Sequence, residues 1–229
     1  MGPMVMKIYF LLIAILTINV NLKCLHEWEV YDINSGLCFP WYAKPFLLEM
    51  QTWDMSNWKI FEWRSRKHST IWLAKNCRSI TAVDDLDLRI NNDLHQQQMK
   101  YLIRKYDVKN LTYKSRAIEV VIEEHPFFGK IESNIRSNYG ENSPYVNAIH
   151  ETDEQYDCII IDGWHYNACA RAALSHVKKG TVIIVDNCHR LTIGIDSTKI
   201  FKLYHEFEHK FFYDPETVDK RTDVWIVLD

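Results

Sequence analysis

The sequence predicts an α/β fold in which helices cover both faces of a mostly parallel sheet. Short runs rich in Ile and Val, such as 79–83 and 180–185, alternate with segments of helical pattern, which is typical of buried parallel strands. Near the end of the chain, two strand patterns at 209–213 and 223–228 flank a turn signal rather than a helix. These two strands are therefore expected to form an antiparallel pair.

Seven strand patterns and five helical patterns follow one another along the chain. The strands are short apolar or alternating runs, predicted at 58–63, 79–83, 117–122, 156–161, 180–185, 209–213 and 223–228. The helices are predicted at 45–50, 69–76, 91–106, 164–178 and 197–204. Pro45 fits the first turn of the first helix, where its missing N–H is not needed. The polar stretch 126–143 is predicted to be a loop.

The chain of 229 residues is predicted to hold one domain, residues 40–229, preceded by an extension at 1–39. Within this extension, 7–23 combines a lysine with a hydrophobic run that is short for a membrane span. This segment is either a secretory signal or weak anchor, or a hydrophobic extension packed on the domain. The chain is accordingly expected to be cytoplasmic in one case, and membrane-associated or secreted in the other. Membrane contact is expected only through this segment.

The cysteines and the net charge bear on compartment and partners. Six cysteines form no CxxC pair, which favours buried thiols in a reducing compartment. The triplet at 110–112 is an acceptor for a glycan if the chain is secreted. The net charge is −3, with acidic and basic residues interspersed, unlike the basic surface of a nucleic-acid binder. No nucleic-acid partner is therefore expected.

Acidic residues stand where several predicted strands end. In an open α/β sheet, ligands bind beyond the carboxyl ends of the strands, near the point where the strand order reverses. Glu62 lies just inside the end of the first strand, while Asp84 and Asp162 follow the second and fourth. Asp84 suits the recognition of both hydroxyls of a ribose, although an aspartate here also caps the start of a helix.

The segment 63–74 (WRSRKHSTIWLA) resembles the first motif of class I methyltransferases. In that motif a strand ends in Glu and an aromatic residue, and Gly-Ser-Gly, Ser-Thr and a helix with Trp-Leu-Ala follow. Residues 40–42, 145–149 and 157–163 are similar to other parts of the same family, so the resemblance covers about 40–190. It implies a Rossmann-like sheet of seven strands with an antiparallel C-terminal strand. It also implies S-adenosylmethionine as cofactor, bound by Glu62, Trp63, Ser65 and Asp84.

The chain departs from this motif at its glycines. Arg64 and Arg66 replace them, and the loop is one residue longer. Glycine allows a positive φ and a close approach to the ligand, whereas another residue in that conformation costs about 1–2 kcal/mol. In one interpretation the arginines point to solvent or hold a carboxylate, and the cofactor site persists. In the other they fill the space of the cofactor's methionine part, and the fold serves a binding or interaction role without catalysis.

The fourth and fifth strand ends resemble those of catechol-type O-methyltransferases. Asp162, Asp186 and Asn187 provide hard oxygen ligands for Mg²⁺ or Ca²⁺, and His165 stands where that family has its basic catalytic residue. The resemblance implies methyl transfer to a small-molecule acceptor, with Asp162 and His165 as catalytic residues. If the metal set is present, the acceptor atom is expected to be an oxygen. Alternatively, the two aspartates cap helices and Asn187 closes a turn.

A third hypothesis for an α/β sheet of this kind is a nicotinamide-dependent oxidoreductase, and the sequence supports it less. The pyrophosphate of a dinucleotide depends on the motif G-x-G-x-x-G after a strand. No strand of this sequence is followed by that motif. The sequence thus favours methyl transfer over hydride transfer.

Overall fold

The computed structural model describes residues 31–32, 37–38, 42–65, 67–86, 93–118, 121–125, 129–133, 141–187, 197–214 and 220–228. Among these residues, seven strands form one sheet: β1 (Lys59–Trp63), β2 (Ser79–Leu86), β3 (Leu111–Ala117), β4 (Cys158–Ile161), β5 (Val182–Asp186), β6 (Glu208–Asp214) and β7 (Lys220–Ile226). Two short antiparallel pairs lie outside it, 31–32 with 37–38 and 121–125 with 129–133.

The sheet has the strand order β6-β7-β5-β4-β1-β2-β3. Strands β1 to β5 pair in parallel, whereas β7 is antiparallel to both β5 and β6. The order therefore reverses between β1 and β4, which makes their carboxyl ends the switch point at which open α/β sheets bind ligands. The predicted fold class, with a closing antiparallel pair, is confirmed.

Within the described ranges, six α-helices surround the sheet: α1 (Lys44–Met50), α2 (His68–Asn76), α3 (Asp93–Lys105), α4 (Pro144–Asn147), α5 (Tyr166–Ala173) and α6 (Ser197–Leu203). Two turns of 3₁₀ helix, Ala148–Glu151 and Leu174–His176, continue α4 and α5. The helix predicted at 164–178 is therefore shorter than expected. The 45–50 and 69–76 predictions each miss the observed start by one residue.

Two apolar clusters, one on each face of the sheet, form the core. Along β1 the side chains alternate, so that Phe61 and Trp63 belong to one cluster and Ile60 to the other. All three are almost fully buried, and burial of such a side chain stabilises the fold by roughly 1.5–3 kcal/mol. Because β4 and β5 are covered on both faces, every residue in them is buried, which explains their unbroken apolar pattern.

The third strand of the sheet is not where the sequence places it. The sequence predicts this strand at 117–122, but β3 covers Leu111–Ala117 and pairs with β2 from Ile80↔Leu111 to Leu86↔Ala117. The residues of β3 are mostly half-buried, because the strand lies at the edge of the sheet and is polar on its open side. An apolar run was therefore the wrong signal for this strand.

The first helix, α1, and the residues just before it pack against β6 and β7. The N–H of Ala43 donates to Oγ1 of Thr222 on β7 at 3.0 Å, and the ring of Phe46 lies 5.2 Å from that of Phe212 on β6. Residues 42–50 thus cover the sheet next to β7. The segment 7–23 lies outside the described residues, and the division at residue 40 stays a prediction. Within the described part of the chain, no helix is long and apolar enough to cross a membrane.

Three of the cysteines bear out the expectation of buried thiols. Cys77, Cys158 and Cys169 are buried and unpaired. Burial raises the pKa of Cys77 to about 12, with the charge of Glu62 adding to the effect. These thiols therefore stay protonated at neutral pH and act as small apolar side chains.

Candidate functional site

Four buried carboxylates lie at the carboxyl ends of the parallel strands. Glu62, Asp84, Asp162 and Asp186 are each at most 6% exposed, so water does not solvate them freely. Tyr42, just before α1, lies near three of them. Burial raises the pKa of Tyr42 well above its ordinary value, and the charges of Glu62, Asp162 and Asp186 raise it further. The structure thus brings together the acids that the sequence places at separate strand ends.

The loop after β1 is tied to the first turn of α2. Thr70 donates from Oγ1 to Oε2 of Glu62 at 2.8 Å, and Oγ of Ser65 lies 3.2 Å from the same hydroxyl. Ser65 is also in contact with the sulfur of Met99 at 3.7 Å. Glu62 and Ser65, two of the predicted cofactor residues, therefore form one connected polar group.

Trp63, a third predicted cofactor residue, belongs to the core. Its indole is fully buried, donates from Nε1 to the carbonyl oxygen of Tyr145 at 3.0 Å and packs edge-on against Phe61. The aromatic residue of the motif is thus explained by packing. A contact between its side chain and a cofactor stays a prediction.

Arg64 has the backbone conformation expected of a glycine. Its φ is 67°, and its N–H donates to the carbonyl oxygen of Val83 on β2 at 2.6 Å. The side chain runs across Gly163, where an added Cβ would lie 2.6 Å from Cδ and 2.7 Å from Cβ of Arg64. The missing side chain at Gly163 therefore provides the space for Arg64. Arg66, the other replaced glycine, lies outside the described residues.

Arg64, Trp164 and Asp85, here called the Arg64 cluster, link the ends of three strands. The guanidinium of Arg64 lies 5.5 Å from the ring centroid of Trp164, a cation–π distance. Trp164 in turn donates from Nε1 to Oδ2 of Asp85. Burial and the neighbouring Asp84 raise the pKa of Asp85, while Arg64 and the Trp164 bond lower it. The cluster lies at the switch point, at the carboxyl ends of the neighbouring strands β1 and β4.

Asp84, the predicted ribose-binding residue, has partners within the protein. Its Oδ2 accepts a hydrogen bond from the hydroxyl of Tyr113 at 2.9 Å and lies 2.8 Å from Nε2 of His95. Its Oδ1 accepts from the N–H of Asp85 at 3.1 Å. Burial and this carboxylate raise the pKa of Tyr113, so the phenol remains a donor. A ribose at Asp84 would have to displace one of these groups.

The predicted metal ligands form a different kind of site. Asp186 is fully buried and accepts from Nζ of Lys220 at 2.5 Å, from Nδ2 of Asn187 at 2.5 Å and from Oγ1 of Thr222 at 3.0 Å. Asp162 accepts from the hydroxyl of Tyr166 at 3.5 Å. Burial raises the pKa of Asp186 and the charge of Lys220 opposes this shift. Among the described residues, no group of three or more His, Cys, Asp or Glu side chains is arranged to hold a metal ion.

His165, the predicted general base, is fully buried. It precedes α5 with a φ of 51°, and its carbonyl accepts from the N–H of Cys169 at 2.9 Å. Its ring centroid lies 6.4 Å from that of Tyr145. An acceptor would reach this imidazole only after a local rearrangement, and the catalytic role of His165 stays a prediction.

Sequence reasoning missed four residues of the site. The sequence patterns assign no role to these four, which are Tyr42, Asp85, Trp164 and Lys220. Asp85 and Trp164 stand directly beside residues that were singled out, so the strand-end rule could have included them. Lys220 opens an antiparallel strand 34 residues after Asp186, and no local pattern connects the two.

Comparison with known proteins bears on the fold. No protein-family model and no curated protein matches this sequence. A solved rRNA methylase from Streptococcus thermophilus is similar with a TM-score of 0.51 and 10% identity, over 81% of this chain and 98% of that one. A presumed S-adenosylmethionine-dependent methyltransferase from Streptococcus mutans is similar with a TM-score of 0.53 and 11% identity, over 87% of this chain and 56% of that one.

The rRNA methylase corrects the expectation of no nucleic-acid partner, which is wrong. A protein named for methylating RNA shares the fold over nearly its whole length, so the fold gives no ground for that exclusion. The exclusion rested on net charge, which describes the whole molecule and not the surface of one cleft. The particular similarity to catechol-type enzymes is not shown by these comparisons. What the strand order and the two solved structures establish is that this chain has the Rossmann-like fold of class I methyltransferases.

Proposed function

We propose that this chain is an S-adenosylmethionine-dependent methyltransferase. The observation that carries the proposal is the left-handed backbone of Arg64, with a φ of 67°. A non-glycine residue in this conformation costs about 1–2 kcal/mol. Such strain tends to persist at functional sites. The loop after β1 thus keeps the backbone of a glycine motif although the glycine itself is gone.

The backbone and the acids of this site suit the cofactor, but the side chain of Arg64 and one of the donors to Asp84 must move to admit it. Glu62, Ser65 and Asp84 would hold the cofactor at the ends of β1 and β2. The bound cofactor supplies a methyl group on a positively charged sulfur. The buried acids around the switch point suit that positive charge. Because the transfer is a direct displacement, the contribution of the protein is mainly alignment of the two reactants.

The acceptor is open to both small molecules and RNA. The proposal of a small molecule methylated on oxygen drew on the metal set, and the Lys220 contact with Asp186 removes that support. The rRNA methylase with the same fold brings RNA into consideration. Transfer of a radiolabelled methyl group into total RNA, compared with transfer into a small-molecule extract, separates the two classes.

A second candidate is a methyltransferase-fold protein that binds partners without the cofactor. The observation that favours it is the path of the Arg64 side chain across Gly163 towards Trp164. This path crosses the switch point, where the cofactor of the fold would lie. In this case the Arg64 cluster is a permanent part of the structure.

Calorimetric titration of S-adenosylhomocysteine into the full chain distinguishes the candidates. We expect Arg64→Gly to bind at least ten times more tightly than the unmodified protein, because the obstructing side chain is removed. Arg104→Ala removes an exposed arginine of α3 and serves as the matched control. Asp84→Ala in the Arg64→Gly background should weaken binding again. Binding by the unmodified chain supports the proposed function. If the folded unmodified chain does not bind, the second candidate holds, even where Arg64→Gly binds.

A further inference from the structure

The ammonium of Lys220 lies among the residues that the sequence assigns to a metal. Nζ is 2.5 Å from Oδ2 of Asp186 and 3.4 Å from Oδ1 of Asn187. Lys220 is only 1% exposed, which is rare for a lysine and is normally seen only with a charged partner. Two of the three predicted metal ligands thus hold an internal cation.

Strand pairing brings this lysine to the site. In the antiparallel register of β7 and β5, Thr222 stands opposite Asp186. The N–H of Asn187 donates to the carbonyl oxygen of Arg221 at 2.9 Å and continues the pairing beyond β5. Lys220 follows at the end of the sheet where Asp186 and Asn187 lie. Its position is therefore a consequence of the fold and not of a mobile surface side chain.

A divalent ion does not fit beside this ammonium. Both oxygens of Asp186 already accept hydrogen bonds from Lys220, Asn187 and Thr222. A metal ion would have to replace these donors while standing next to a buried positive charge. Like charges at short distance repel strongly in a buried, low-dielectric environment. The hydrogen-bond donors around Asp186 therefore contradict the predicted metal site.

We infer that Lys220 takes the place of a divalent cation on the acceptor side of this fold, so that Asp186 and Asn187 are ordered without a metal. The name "acceptor side" rests on the proposed methyl transfer, in which this end of the sheet would face the methyl acceptor. The replacement of a divalent cation by the ammonium group concerns only Lys220, Asp186 and Asn187. It can be tested whether or not the chain binds S-adenosylhomocysteine.

Removal of the ammonium should create a metal site. In Lys220→Ala, the oxygens of Asp186 and Asn187 that now contact the ammonium would face the space left by the lysine side chain, with Asp162 at the neighbouring strand end. These are the hard ligands that Ca²⁺ and lanthanide ions prefer. The register supports their proximity, because Ile161 pairs with Val185 and the next residues are Asp162 and Asp186.

The experiment is a titration of the full chain with Tb³⁺, read by luminescence and competed with Ca²⁺. We expect Lys220→Ala to gain a saturable site at least ten times tighter than any in the unmodified protein. The double variant Lys220→Ala, Asp186→Asn should lose that site. Lys210→Ala removes a surface lysine paired with Glu208 and is the control. Folded Lys220→Ala without a new site would overturn the inference.

The unmodified chain provides a test that does not depend on the folding of Lys220→Ala. If Lys220 replaces the metal, any Tb³⁺ binding by the unmodified protein should be the same after Asp186→Asn. A stoichiometric Tb³⁺ or Ca²⁺ site in the unmodified chain that Asp186→Asn abolishes would contradict the inference. Neither result depends on the affinity for S-adenosylhomocysteine. Failure of the proposed role of Lys220 and failure of the proposed function are therefore distinguishable.

Discussion

The side chain of Arg64 fills the space that the missing side chain of Gly163 leaves open. A Cβ added to Gly163 would lie 2.6 Å from Cδ of Arg64, closer than two carbon atoms can approach without a shift. Arg64, directly after β1, and Gly163, two residues after β4, are therefore coupled: Arg64 carries a side chain where the motif has glycine, and Gly163 carries none.

This coupling predicts the outcome of a double-mutant cycle. Gly163→Ala should lower the free energy of unfolding by roughly 2–5 kcal/mol, because φ at Gly163 is 127° and the new methyl overlaps Arg64. In the Arg64→Gly background the overlap disappears, and only the backbone strain remains. Urea denaturation of the four proteins measures the difference.

Gly180→Ala is the matched control for this cycle. Gly180 has a φ of 82°, and an added Cβ there meets nothing within 4 Å. Its replacement should therefore give strain alone, about 1–2 kcal/mol, with or without Arg64→Gly. An equal loss at Gly163 in both backgrounds would show that Arg64 does not occupy the space above it.

The sequence predicts the buried centre of this fold better than its edges and its polar site. Strands β4 and β5 are predictable because burial on both faces leaves a nearly continuous apolar run. At the edge, β3 carries Lys114 and Arg116 and has no such run. The positive φ of Arg64 follows from the glycine motif, but the direction of its side chain depends on Gly163, about one hundred residues away in sequence. The pairing of Lys220 with Asp186 depends in the same way on strand register.

Asn110 is predicted to stabilise the end of α2. Its Nδ2 donates to the carbonyl oxygens of Ala74 at 2.8 Å, Cys77 at 2.9 Å and Arg78 at 3.3 Å. Asn110→Ala leaves the carbonyl groups at this helix end without that donor, and we expect a loss of roughly 1–3 kcal/mol in urea denaturation. The same bonds use the nitrogen to which a glycan would be attached.

Thr112→Ala separates these two roles of the 110–112 triplet. It removes the glycan acceptor sequence but leaves the amide of Asn110 in place, and Thr112 is exposed. We expect a change in unfolding free energy within about 0.5 kcal/mol. If Thr112→Ala destabilises the chain as much as Asn110→Ala, the amide bonds do not explain the effect of Asn110.

Glu151 is predicted to make the stability of the chain depend on pH. Arg116 and Lys114 on β3 both pair with it, and the hydrogen bonds from Arg116 do most to lower the pKa of Glu151 to about 2. A carboxylate whose pKa is lower in the folded state stabilises that state above its ordinary pKa. This contribution is lost as the pH falls from about 4.5 towards 2. Because Glu151 is about one-third exposed, water and salt reduce it to roughly 0.2–1 kcal/mol.

Urea denaturation of Glu151→Gln between pH 3 and 7 checks this dependence. The variant should be less stable than the unmodified chain at pH 7, and the gap should narrow towards pH 3 and in 1 M salt. Glu154→Gln is the control, because Glu154 makes one exposed ion pair with Lys59 at 3.1 Å and should show little change. A gap at Glu151 that stays constant with pH would mean that its packing, and not its charge, holds β3 to the turn at Ala148–Glu151.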